Sequence, residues 1–327
     1  MNERADYIPA ALPADDGDAC DPVTIPAALG GLRLDQALAK LFPEHSRSRL
    51  QGWLRDGYIR VDGAVPDARK KVCGGESVEI DAPPPPEVAA ELPEDIPLDV
   101  VFEDAHLLVI NKPVGLVVHP GSGNWSGTLL NALLHRDPAF AAVPRAGIVH
   151  RLDKDTSGLM VVAKTLTAQT ELVRQLQARS VKRHYWALVQ GELGAGGTVD
   201  APIGRHPSQR TRMAVVGNGR PAVTHYLVIE RLPRCTLVEC RLETGRTHQI
   251  RVHMAHVGHA LVGDPVYGQR RTGDPALDLF PRQALHAFRL GLTHPQTGVA
   301  MEWTVPMAVD FDALLHALRH RLPGGQR

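Results

Sequence analysis

The sequence predicts an α+β protein built in two parts, a small helix–helix–hairpin module followed by a larger sheet domain. Three observations carry this prediction. Between residues 29 and 81 apolar residues recur first at helical and then at strand spacing. A Pro-rich acidic stretch, 82–96, then interrupts the pattern. Beyond it, apolar strands that mostly do not alternate are mixed with helical segments, which is how an α+β sheet domain reads. A chain of 327 residues suits one large domain and one small one.

The elements follow in order. Residues 1–28 are acidic, polar and Pro-bearing, the composition of a disordered tail. In the module, Leu34, Leu38 and Leu41 mark a first helix and Pro43 ends it. Ser46 is placed to cap a second helix carrying Leu50, Trp53 and Leu54, with Gly57 as its stop. Residues 58–63 read as a strand entering an Asp62-Gly63 hairpin turn, and 77–80 as its alternating partner. After the linker, a catalytic-sized domain over 97–322 is expected, then a short flexible tail, 323–327. Strands are predicted over 98–102, 107–110, 185–189, 222–229, 236–242 and 301–305, with helices over 128–135 and 168–179. Residues 146–149 also look like strand, leading into a reactive loop before the apolar run 159–163.

Charge is informative only locally. Net charge is zero. Residues 1–29 hold six acids and one base, and 82–104 hold seven acids and no base. Residues 140–260 hold seventeen Lys and Arg, fourteen of them Arg, against eight Asp and Glu. An acidic tail and linker thus mask an arginine-rich body suited to phosphate and base contacts. The four cysteines are scattered and form no Cys-x-x-Cys pair, so a zinc site or disulfide framework is not expected, and Cys235 and Cys240 read as core residues. No apolar run approaches the ~18 residues of a membrane span, and the acidic start lacks a signal-peptide core. A cytoplasmic protein is expected.

The segment His150-Arg151-Leu152-Asp153-Lys154-Asp155-Thr156-Ser157-Gly158 sets one carboxylate, Asp153, between an arginine and a lysine. Nearby cations favour the charged carboxylate, which can serve as nucleophile or base. Two plainer readings compete. Positions 153–158 copy the start of a calcium loop, but the twelfth position is Lys164 instead of a bidentate Glu. A turn in which Asp155 or Ser157 caps a backbone amide accounts for those two residues and leaves Arg151 and Asp153 unexplained. Elsewhere, residues 120–128 miss the phosphate-loop spacing and its lysine. His248, His253, His256 and His259 lack the Glu of a zinc-protease helix, and no serine sits in a nucleophile elbow. No nucleotide cofactor or metal is implied.

The module's order, with Arg33-Leu34-Asp35, Ser46-Arg47-Ser48 and 57–63, resembles the S-four RNA-binding domain. It holds eight acids and nine bases, so binding would come from one clustered face. Three further segments coincide: His150–Gly158, Arg183-His184-Tyr185, and Glu243-Thr244-Gly245-Arg246-Thr247-His248-Gln249-Ile250-Arg251-Val252-His253. With Asn111-Lys112-Pro113, 261–268 and 283–287, they make the chain similar to the RluA family of pseudouridine synthases over roughly residues 30–318.

The resemblance implies a mixed, mainly antiparallel sheet in the catalytic domain. It implies that Asp153 is the catalytic aspartate, Tyr185 the active-site tyrosine and Arg251 the arginine that pairs with the aspartate. Arg151 would help hold RNA open around an extruded uridine. The reaction moves uracil from a nitrogen to a carbon linkage with no redox change or net hydrolysis, so no cofactor is needed. Arg47, Arg49 and Arg60 of the module, with Lys182, Arg183, Arg205, His206, Arg210, Arg212, Arg246 and His248, would contact RNA. The partner implied is ribosomal RNA of the large subunit, at a stem-loop near the decoding interface, acted on by a monomer. Another rRNA or tRNA uridine, and a non-catalytic role in ribosome assembly, are the alternatives.

Overall fold

A computed structural model describes residues 22–43, 45–81, 92–121, 124–209, 211–268 and 272–320. Residues 1–21 of the expected acidic tail, the expected tail 323–327, the first part of the linker, 82–91, and Arg210 lie outside these residues. Residues 22–28, expected within the disordered tail, are instead ordered: Val23–Thr24 pairs as a strand and Ile25 is wholly buried, because its apolar side chain completes the core of the first unit. The chain forms two compact units, Met1–Pro86 and Glu87–Arg327.

In the first unit, helices α1 (Leu34–Leu41) and α2 (Arg47–Asp56) accompany a three-stranded antiparallel sheet, ordered β1 (Val23–Thr24), β3 (Ser77–Ile80), β2 (Ile59–Val61). Ile25, Leu34, Leu38, Leu50, Leu54, Ile59 and Val78 are buried together between them. The local signals act as their chemistry suggests. Ser46 Oγ accepts the Arg49 amide at 3.3 Å, and the helix stops at Gly57. Asp62 and Gly63 both take positive φ, as a two-residue hairpin turn between Val61 and Ala64 requires. Asp35 is wholly buried and accepts hydrogen bonds from Arg33, Arg47 and Gln51, which hold its carboxyl down at about 2 against the opposing effect of burial.

The second unit is built on a nine-stranded sheet. Its order is β4 (Val100–Glu103), β5 (Leu107–Lys112), β6 (Ser157–Ala163), β13 (Leu285–Thr293), β7 (Lys182–Gln190), β12 (Cys235–Leu242), β11 (Val223–Leu232), β8 (Gly197–Asp200), with β14 (Ala300–Thr304) paired to β13. Every pairing is antiparallel except β6 with β13. The remaining ribbon, β9 (Ile203–Arg205) with β10 (Met213–Val215), stands apart.

The central strands β5, β6, β7, β12 and β13 are buried on both faces, which is why they do not alternate, whereas β11 and β14 leave one face exposed. Leu108 and Ile110 join one core with α3 (Leu129–Arg136) and α5 (Gln249–His256). Leu107 and Val109 of the same strand join another with α4 (Leu166–Gln177). A third core lies under α6 (Pro275–Asp278) and α7 (Val309–Arg319). Cys235 and Cys240 are enclosed in these cores.

Two segments depart from expectation. Residues 92–96, expected as linker, are tied to α3: the Glu94 amide donates to Asn131 O, and Asn131 Nδ2 donates to Leu92 O. Residues 146–149, expected as strand, form the end of a tight turn, and only Ile148 bridges to Val162. Arg145, Ala146 and Gly147 all have positive φ, and Gly147 passes so close to Ala163 that a Cβ there would meet its carbonyl oxygen. The parallel contact between β6 and β13 depends on Gly158. It has φ 111°, and a Cβ there would lie 2.2 Å from Ala287 O.

Candidate active site

The loop 150–156 leaves that turn and enters β6, and it is held along its length. His150 Nε2 accepts the Val161 amide at 3.0 Å. Lys112, wholly buried, donates to the carbonyls of Pro113, Leu116 and Lys154 at 2.7, 2.9 and 2.9 Å. The buried Arg282 donates to Asp155 O at 3.0 Å while forking onto Asp310 at 2.6 and 2.7 Å. Gln283 Nε2 donates to Thr156 Oγ1, and Ser157 Oγ lies 2.9 Å from His286 Nδ1. A backbone tied at this many points presents Asp153 in one position.

Asp153 Oδ2 accepts from Arg251 Nη1 at 2.9 Å, across 98 residues of sequence. Arg251 is oriented by Asp264, which takes Nε and Nη2 at 2.7 and 2.9 Å. Asp264 is held in turn by the amides of Val266 and Tyr267 at 2.9 and 3.0 Å. Burial works against charge on both partners. The hydrogen bonds to Asp264, and after them the charge and bond of Asp153, nevertheless raise the arginine above its ordinary range, and the Asp264 carboxyl lies below its own. The Arg251 guanidinium also lies 5.2 Å from the Tyr267 ring centre.

Asp153 and Arg251 line a pocket of about 590 Å³, within the range of small-molecule sites. Tyr185, on β7, lines it and is 5% exposed; burial pushes its phenol up, so the ring is neutral at ordinary pH. Arg145, Arg151, Arg183, Arg246 and His248 also line it. His248 occupies a left-handed backbone position; its Nδ1 is 2.9 Å from Tyr267 Oη and its Nε2 3.9 Å from Asp153 Oδ1. The turn before α5 is shaped by Thr244, whose Oγ1 donates to Gln249 Oε1, and by Gln249, whose Nε2 donates to Val223 O. Arg151 is exposed at the pocket and makes no ion pair with Asp153 among the described residues, so the charge partner of Asp153 is distant in sequence rather than adjacent.

The other expected RNA contacts are dispersed. Lys182 and Arg183 are neighbours on β7 and therefore point to opposite faces. Arg183 faces the pocket with Tyr185, while Lys182 stands beside Gly291 on the other face. Arg205 is exposed on the β9–β10 ribbon. Arg212 donates to Gln209 and lies 5.3 Å from the Tyr267 ring centre, and the ribbon packs on Val252 of α5. His206 is in the same ribbon's loop. In the first unit Arg47 is half-exposed on Asp35, Arg49 is on α2, and Arg60 is exposed on β2. Of the histidine cluster, His253 lies between Thr224 and Ala201, and His259 bonds Gln190 O, so these rings turn to different partners.

The family model described as RNA pseudouridylate synthase matches residues 106–256, and the S4 domain matches residues 32–78. Proteins named ribosomal large subunit pseudouridine synthase D are similar along most of the chain. The one from Nitrosomonas europaea is 59% identical over 91% of this chain and 88% of its own length. The one from Pseudomonas aeruginosa is 59% identical over 90% and 94%. The chain belongs to the RNA pseudouridylate synthase family. Among solved structures, human RNA pseudouridylate synthase domain containing 1 is 27% identical, with a TM-score of 0.53 over 75% of this chain and all of that one.

Three residues that lie within the segments 111–113, 261–268 and 283–287 support the loop and its cation. Lys112 and Gln283 anchor the loop, and Asp264 aims Arg251. An isolated acid inside the apolar run 261–268 was the available signal for Asp264, since a buried carboxylate requires a partner.

Burial, helped by Arg183, pulls the His150 imidazole down to about 3; burial with Arg151 and Arg145 pulls His119 down to about 4; burial with Arg282 pulls His286 down to about 4. Each then binds a proton more readily unfolded than folded. Their contribution to stability is complete above pH ~6.5 and is lost as pH falls through about 4 to 3. Urea unfolding between pH 7.5 and 4 is therefore expected to give stability that falls with acid. His150→Gln keeps an acceptor for Val161 but does not titrate, and should make the slope shallower. An unchanged slope would remove His150 from this account.

Proposed function

We propose that this chain isomerises specific uridines of large-subunit ribosomal RNA to pseudouridine, in a stem-loop near the decoding interface, as a cytoplasmic monomer that uses no cofactor. The observation that carries the reading is a carboxylate, Asp153, fixed by Arg251 at 2.9 Å in a pocket shared with Tyr185 and several arginines. The names of relatives at 59% identity support the RNA target. Among the described residues no helix is long and apolar enough to cross a membrane.

The chemistry suits these side chains. The bond from the sugar to uracil nitrogen 1 breaks, the base turns, and a bond to carbon 5 forms. Nitrogen 1 gains a proton and carbon 5 loses one, so the change is redox-neutral and consumes no water. Asp153 starts the sequence by acting on the sugar or the base. Arg251 keeps that carboxylate oriented. The neutral Tyr185 ring packs against the base, and its hydroxyl can serve in the proton transfer. The uridine must leave its stack at a cost of a few kcal/mol, and Arg151 at the pocket is suited to fill the vacancy. The arginines of the ribbon and of the first unit supply phosphate contacts.

Tritium release from RNA labelled at uracil carbon 5 tests the reaction. Release is expected with the purified chain, and its absence would leave only an RNA-binding role. Mapping of pseudouridines in rRNA from a deletion strain tests the target, because a large-subunit loop that keeps its modifications would reassign the substrate. RNA affinity is expected to fall log-linearly with salt, with a slope of about −0.7 per phosphate contact in single strands.

A further inference from the structure

Three arginines of the second unit are less than a tenth exposed: Arg183, Arg251 and Arg282. Arg251 and Arg282 each fork onto a carboxylate. Arg183 makes no ion pair among the described residues. Its one hydrogen bond there runs from Nη2 to Glu243 O at 3.1 Å, and its enclosed Nε has no partner. Burial lowers it from its ordinary range, with only the Tyr185 phenol opposing that shift. A guanidinium carries five donors, and one buried without an anion is a net cost to the folded chain. This one lines the pocket, two residues before Tyr185 on the same strand face. Room for it is kept by Gly245, where a Cβ would lie 2.7 Å from Arg183 Nη1.

We propose that Arg183 seats an RNA backbone phosphate inside the pocket, one of the two that adjoin the extruded uridine. The proposal rests on reading this pocket as a uridine-isomerising site. A flipped nucleotide swings about its backbone and brings phosphates with it. A planar, permanently charged fork matches a phosphate. A neutral uracil carbonyl would leave the buried charge uncompensated. Arg183 is therefore a positioning residue: it fixes how deep the nucleotide sits relative to Asp153, whereas the exposed Arg205 acts on approach. Gly245 is part of the same device, since any side chain there displaces the guanidinium.

The test is a thermodynamic cycle on RNA affinity, which does not require turnover. The full chain and Arg183→Gln are titrated with the target stem-loop carrying a neutral methylphosphonate at each flanking phosphate in turn. Wild type is expected to lose about 10- to 100-fold at one of the two positions, as for a charge-assisted bond. Arg183→Gln is expected to lose a similar factor on unmodified RNA, and then less than about 3-fold more from that methylphosphonate. Penalties that multiply at both positions would overturn the assignment. Melting without RNA gives an independent reading. Losing an unpaired buried charge should leave the melting temperature unchanged or raised, and a fall of more than about 3 °C, or failure to fold, would make Arg183 structural and also overturn it. If wild type binds this RNA but forms no pseudouridine, the functional reading fails, while the cycle still decides the role of Arg183.

Discussion

Asp153→Asn is expected to lower turnover by ~10⁴-fold or more while RNA affinity stays within several-fold. The substitution keeps the shape of the side chain and an oxygen that can accept from Arg251, but removes the charge that a nucleophile or base requires. The loop should remain in place, because its anchors act on the backbone at Lys154 and Asp155 and on the side chains of His150, Thr156 and Ser157. Asp155→Asn is the control. Asp155 is held through its carbonyl, which the substitution leaves intact, so its loss should be much milder. Single-turnover rates and binding isotherms for the two variants check this. Equal losses in folded protein would take the reaction away from Asp153.

Arg251→Met is expected to cost about 3–5 kcal/mol of stability as well as activity. The variant leaves Asp264, whose side chain is fully buried, without the two bonds that compensate its charge, and releases Asp153 from its orienting partner. Denaturant unfolding would read the first effect and initial rates the second. The two separate in the double variant Arg251→Met, Asp264→Asn. An asparagine oxygen still accepts the Val266 and Tyr267 amides, so most of the stability should return, yet activity should not. Recovery of activity in the double variant would make Arg251 structural only.

The two experiments treat the site as layers. In the proposed reaction Asp153 meets the substrate; Arg251 holds Asp153, and Asp264 holds Arg251. Lys112 and Arg282 play the corresponding part for the loop backbone: Lys112 donates only to carbonyl oxygens among the described residues, and Arg282 pairs with Asp310 while its Nη1 reaches Asp155 O.

Much was legible from local chemistry. The Ser46 cap, the Asp62-Gly63 turn and the helices of the first unit each depend on residues a few positions apart, where capping, turn preference and periodicity operate. The segments containing Asp153, Tyr185 and Arg251 were legible through their resemblance to a family. The mixed fold followed from strands that do not alternate. Other features depend on how distant segments cross, and spacing does not encode them. The segment expected as a strand at 146–149 ends a tight turn instead, with Gly147 passing where the Ala163 backbone leaves no room for a Cβ. Lys182 and Arg183, adjacent in sequence, are separated onto opposite faces of β7, so that only Arg183 reaches the pocket. The Arg251–Asp153 contact was implied by family resemblance, but its second carboxylate, Asp264, and the unpaired guanidinium of Arg183 emerged only when β6, β7, β12 and α5 met around one pocket. A sequence determines which residues carry charge and which can turn the chain; which charges are buried together, and which one is left without a partner, is settled by packing.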